Sequence, residues 1–218
     1  MAELRTEEEQ LDALKNWWKE NGKALVLGVG AAVAIVVGWQ GWQSRQATNA
    51  AQASMLYQSL IESVVVDLDE GRAQTSETLQ HLGERLKAEH AKSTYAQYAA
   101  LILARAAVQS NNNEVAIAEL DWVVANTKEE DIKRIATLRK AKILLGEQKA
   151  GEALLLMDSI DPASFAVIYH ELRGDAYFLQ EDIESARREY DRALAANTGE
   201  ARPILQMKRD DLGSGSGS

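Results

Sequence analysis

The side chains with chemical potential in this 218-residue chain are few and scattered. Its three histidines, His81, His90 and His170, stand apart from one another. No His-x-x-x-His pair occurs, and there is no cysteine to complete a ligand set. Zinc takes three or four such ligands at short spacing, so no zinc site is expected. The acidic runs at 67–70 and 129–131 lack the glycine and the twelve-residue ligand spacing of a calcium loop. The second of them suits a helix N-terminus, where the helix dipole favours negative charge. Neither a Gly-x-Ser-x-Gly nucleophile turn nor a phosphate-binding loop is present. The expectation is therefore no enzyme, no cofactor and no metal. A net charge of −9 also argues against nucleic acid as a partner, because no basic excess exists to neutralise phosphates. Any function must come from surface.

Surface is set by the elements that carry it, and these read as helical. Apolar residues recur at helical spacing along nearly the whole chain, with only two prolines. The expected fold class is all-α: a single transmembrane helix followed by a tetratricopeptide-repeat-like helical solenoid.

Residues 24–39 read ALVLGVGAAVAIVVGW, without a charge or an amide. Extended to Trp42, the segment holds nineteen residues and spans about 28 Å as a helix, close to a hydrocarbon core. Trp17 and Trp18 precede it and Trp39 and Trp42 close it, as indoles do at membrane interfaces. A signal peptide is the competing reading. The run is long for one, and Trp-Gln-Gly-Trp is a poor cleavage site. Arg5, Lys15, Lys19 and Lys23 lie before the segment and only Arg45 lies shortly after it. That bias puts the N-terminus in the cytoplasm and the rest in the periplasm of a bacterium. Gly30, Ala34 and Gly38 recur at intervals of four and mark a face where a second membrane helix would approach closely; chance in a Gly/Ala-rich run is the plainer explanation.

The organisation expected is a cytoplasmic amphipathic helix over 1–23, the membrane helix over 24–42, a periplasmic domain over 43–212 and a Gly-Ser linker over 213–218. In the first piece residues 6–9 match a capping box, Lys15, Lys19 and Lys23 form a stripe, and Asn21-Gly22 is a stop signal. A solvated charged tail is the alternative.

After Arg45 a long helix is expected to about residue 69, broken at Gly71-Arg72, with a second over about 76–89. Beyond that a longer period sets in. Gly174, Tyr177, Ala186, Tyr190 and Ala193 stand at tetratricopeptide spacings. The same grid anchored on Ala141 gives Leu144, Ala153, Met157 and Ile160; anchored on Ala104 it gives Ala107, Ala116, Leu120 and Val123. Small residues at the anchors let paired helices cross closely. Arg173 and Thr198 depart from the pattern, where Leu and Pro are usual. Turns are expected at 111–113, 146–147 and 180–182. Asp161-Pro162 and Pro203 are expected to begin helices. A non-repeat bundle is the competing architecture.

In such an array the first helix of each pair lines a concave groove. The grid assigns to it Tyr98, Leu101, Arg105 and Val108, then Leu138, Lys142 and Leu145, then Ile168, Glu171, Asp175 and Phe178. A mixed set of this kind suits an extended peptide or a partner helix. The other reading is that several of the apolar members pack against neighbouring helices.

The run from Leu14 to Ala24 (LKNWWKENGKA), the apolar helix ending Gly38-Trp39 and the segment Glu171-Leu172-Arg173-Gly174-Asp175 resemble the YfgM family, ancillary subunits of the bacterial SecYEG translocon. The resemblance runs from the N-terminal helix to about Leu212. It implies a non-enzymatic adaptor of the cell inner membrane. The partners it implies are the SecYEG translocon, a membrane-anchored periplasmic chaperone related to prolyl isomerases, and unfolded exported proteins. A membrane-anchored regulator of an envelope stress response, acting through its cytoplasmic segment, is the alternative.

Overall fold

The computed structural model of the chain describes residues 7–69, 77–199 and 201–214. These form nine α-helices and one 3-10 turn, with no strand among them: α1 (Glu7–Asp69), α2 (Glu77–Glu89), α3 (Thr94–Gln109), α4 (Asn113–Asn126), α5 (Glu130–Gly146), α6 (Ala150–Met157), the 3-10 turn Ala163–Phe165, α7 (Ala166–Leu179), α8 (Ile183–Ala196) and α9 (Pro203–Ser214). The chain divides into two compact units, residues 1–52 and 53–218, and α1 contributes to both.

In the first unit the stop expected at Asn21-Gly22 does not occur, because α1 runs through it. Asn21 stays in the helix by donating its side-chain amide to the Trp17 carbonyl at 3.2 Å. The Trp18 ring lies over Gly22, which is buried as a result. The local cost of a helical glycine, about 1 kcal/mol, is too small to break a helix held on both sides. Further along, Leu25, Val33, Ile35, Val37 and Trp39 are all exposed. This is one helix long and apolar enough to cross a membrane. The threonine of the capping box at 6–9, and the break expected at 71–72, lie outside the described residues.

The second unit is a stack of helix pairs. Ala53 and Leu60 of α1 bury with Leu79 and Leu86 of α2 and with Ala96, Ala99 and Leu103 of α3. The next core layer joins α3, α4 and α5 around Ala104, Leu120, Val123 and Ala136. The one after joins α5, α6 and α7 around Ala141, Ala153, Met157 and Leu172. Tyr190, Ala193, Leu205 and Leu212 close the stack between α8 and α9. Each layer is shared by consecutive pairs, the packing of a solenoid. A buried ion pair, Lys87 Nζ to Glu119 Oε1 at 2.7 Å, ties α2 to α4.

The three pairs α3–α4, α5–α6 and α7–α8 turn in one way. Asn111, Gln148 and Glu181 have φ of 56°, 63° and 62°, each seven residues beyond its anchor. The following amide, of Asn112, Lys149 or Asp182, donates to the carbonyl of Ala107, Leu144 or Tyr177 at 2.8, 2.9 and 3.0 Å. That bond, with the left-handed residue before it, is a Schellman helix stop. Asn112 and Asp182 then cap α4 and α8 by accepting from the amides of Val115 and Ser185.

One helix start and one helix end differ from expectation. Pro162 leads into the 3-10 turn rather than directly into α7, because Ala163 takes a left-handed φ of 44° that an α-helix cannot hold. α9 continues past Leu212 into the first two residues of the Gly-Ser segment.

Candidate functional site

The anchors Ala104, Ala141 and Gly174 sit at the crossings of the three pairs and are buried. The groove positions follow from them. One residue after each anchor stand Arg105, Lys142 and Asp175; three before stand Leu101, Leu138 and Glu171; four after stand Val108, Leu145 and Phe178.

The structure separates these residues into three groups. Leu101, Leu138 and Leu145 are core: they are 7%, 4% and 7% exposed and pack within the layers between α3, α5 and α7. The apolar members three before an anchor and Leu145 four after one therefore lie inward. Their assignment to an open groove is corrected, the reason being that core and groove faces of a helix lie one turn apart. Tyr98, Val108, Ile168 and Phe178 are exposed. The Tyr98 ring lies beside Tyr57 of α1, centroids 6.3 Å apart.

Glu171 and Asp175 form the second group, and both are occupied from within the chain. Lys208 of α9 reaches back to Glu171 Oε1 at 2.9 Å and to Asp175 Oδ1 at 2.8 Å. Tyr190 donates its hydroxyl to Asp175 Oδ1 at 2.8 Å. Burial pulls the Lys208 ammonium down, but its hydrogen bonds to Asp175 and Glu171 outweigh that and leave it above the ordinary lysine value. Burial first, and the Asp175 bond second, push the Tyr190 hydroxyl well above its ordinary range, so it stays a donor at any physiological pH.

Arg105 and Lys142 make the third group. With Val108, Ile143 and Gly146 they line a cavity of about 610 Å³ between α3, α4 and α5. A residue not expected in the groove, Arg139, completes it. Its position was legible in principle: it precedes Lys142 by three residues and so shares its helix face. Burial, and after it the charge of Arg105, hold the Arg139 guanidinium below its ordinary value. Chemically the cavity offers cations beside apolar carbon.

A solvated helix face is the plain expectation for each histidine, and of the three only His81 is exposed. His170 shares a short contact with the buried Glu189, Nδ1 to Oε2 at 2.6 Å. His90 is buried at the end of α2. No cluster of three or more metal-ligating side chains exists among the described residues. In the first unit Gly30, Ala34 and Gly38 are exposed, as are all residues of α1 from 23 to 52, and a carbon added at Gly30 or Gly38 meets nothing within 4 Å.

Paired helices with small crossing residues and repeated turns define a class, and the sequence comparison agrees. A family model described as a tetratricopeptide repeat-like domain matches residues 15–214. A protein of Escherichia coli (strain K12) named ancillary SecYEG translocon subunit is 33% identical over 207 residues, 94% of this chain and 96% of its own length. Proteins with the same name from Neisseria gonorrhoeae and Haemophilus influenzae are 30% and 28% identical, each over 97% of this chain and all of their own. No solved structure matches. The chain belongs to the family of ancillary SecYEG translocon subunits.

Proposed function

We propose that this chain is a single-pass inner-membrane adaptor that works beside the SecYEG translocon and has no catalytic role. The observation that carries the reading is similarity along nearly the whole chain to proteins named for that association. Residues 24–42 would lie in the bilayer; the exposed apolar side chains of α1 there favour it. The lysines before them would hold the N-terminus in the cytoplasm. The helix pairs would then stand in the periplasm, kept near the export site at a raised effective concentration.

The groove gives the second half of the proposal. Tyr98, Arg105, Val108, Lys142, Ile168 and Phe178 would contact unfolded exported chains or a membrane-anchored chaperone related to prolyl isomerases. Weak contacts suffice when both partners are confined to one surface. Gly30, Ala34 and Gly38 would be the line along which a translocon helix packs. The test is recovery of partners. Membranes carrying the tagged chain are solubilised in mild detergent and the tag is captured. The translocon subunits are expected in the eluate, and their absence from it would defeat the proposal.

A further inference from the structure

The groove positions one residue after the anchors reverse in sign along the stack. The third, Asp175, is satisfied by Lys208 from α9. The first two, Arg105 and Lys142, are cationic, and Arg139 joins them. No carboxylate lies within ion-pairing distance of these three among the described residues, although Lys87, Lys140, Arg173 and Lys208 all find one. Among the described residues no aspartate or glutamate lines the cavity that the three share. The chain carries 33 acidic residues against 24 basic ones, yet these three cations come together at one cavity.

Arg105, Arg139 and Lys142 are all exposed, and Arg139 stands close enough to Arg105 for the two like charges to repel. An anion seated between them relieves that repulsion. Val108 of α3 and Ile143 of α5 add apolar surface to the same cavity, and a carbon added at Gly146 would meet nothing within 4 Å. A bare inorganic anion has no use for the apolar part, whereas a polypeptide carrying both carboxylates and aliphatic side chains uses all of it.

We infer that this cavity is the docking site for an acidic, aliphatic segment of a partner polypeptide, with its carboxylates on Arg105, Arg139 and Lys142 and an aliphatic side chain against Val108 and Ile143. The inference rests on the adaptor reading and supplies the chemistry of its partner. Lys208 on Asp175 shows the same groove already holding a charged side chain of opposite sign at the equivalent position.

The full-length protein in phosphatidylcholine nanodiscs is titrated into a fluorescently labelled peptide of alternating glutamate and leucine, and into the same peptide with glutamine for glutamate. Tighter binding of the glutamate peptide, by about tenfold, is expected, as is a loss of about tenfold in Arg139→Gln and in Lys142→Gln. Lys142 is exposed, so its replacement leaves the fold intact, and Lys128→Gln, exposed and outside the cavity, should bind as the parent does. Equal binding of the two peptides, or binding unaltered in both cavity variants, overturns the inference. So does displacement of the peptide by phosphatidylglycerol vesicles, which would make the occupant a membrane. Capturing translocon subunits with the same variants keeps the two readings apart: the peptide result decides the cavity, and recovery by the parent chain decides the adaptor role.

Discussion

The space that a side chain would fill at Gly174 of α7 is taken by the ring of Tyr190 on α8. The ring is fixed there by burial and by the bond from its hydroxyl to Asp175. Gly174→Ala must push it aside. Overpacking of this kind should lower stability by about 2 kcal/mol, read from thermal unfolding followed by circular dichroism. Combined with Tyr190→Leu, it should lose less than the two single variants do in sum, since both act on one clash. Strict additivity would contradict the packing described.

The turn residues Gln148 and Glu181 carry a side chain where the backbone is left-handed. Glycine is free of that strain and loses only part of the gain to greater freedom when unfolded. Gln148→Gly and Glu181→Gly should each stabilise by about 0.5 kcal/mol, and Asn111→Gly by less, because asparagine tolerates this conformation. Denaturant midpoints rank the three variants, and destabilisation by either of the first two would refute the turn geometry.

Lys208 ties α9 to α7 through Glu171 and Asp175. With these groups partly solvated, Lys208→Met should cost about 1 kcal/mol, already discounted for screening. The folded ammonium titrates above the ordinary lysine value of 10.5. Its contribution is therefore complete below that pH and disappears as the pH rises through the folded value. Melting curves of parent and variant should differ at neutral pH and converge in strong alkali.

The proposed topology is checked with a C-terminal tag. Protease added outside spheroplasts should remove it, and an N-terminal tag should survive until the membrane is broken. The reverse pattern would invert the orientation drawn from Lys15, Lys19 and Lys23.

The repeat was legible in sequence because its anchors are constrained by volume. Ala104, Ala141 and Gly174 must be small for helices to cross, and that leaves a mark at fixed spacing. The turns were placed but their left-handed residues were hidden, since two of the three are Gln and Glu rather than glycine or asparagine. Leu101, Leu138 and Leu145 were drawn into the groove because helical periodicity alone does not separate two faces a turn apart. Asn21-Gly22 read as a stop because local propensity is weaker than a helix continuing on either side. The pairing of Lys208 with Asp175, thirty-three residues away, left no local pattern at all. Arg139 went unremarked for a related reason: its lack of an acidic partner is a property of three dimensions.

α9 lies where a fourth helix pair would have to dock, with Leu205 and Leu212 already sunk into the face of the third. Extending the array by one more pair would first require evicting that helix and stranding Glu171 and Asp175 without their lysine. The length of the stack is thus governed by a built-in stopper, and a shorter or longer relative would need to relocate it.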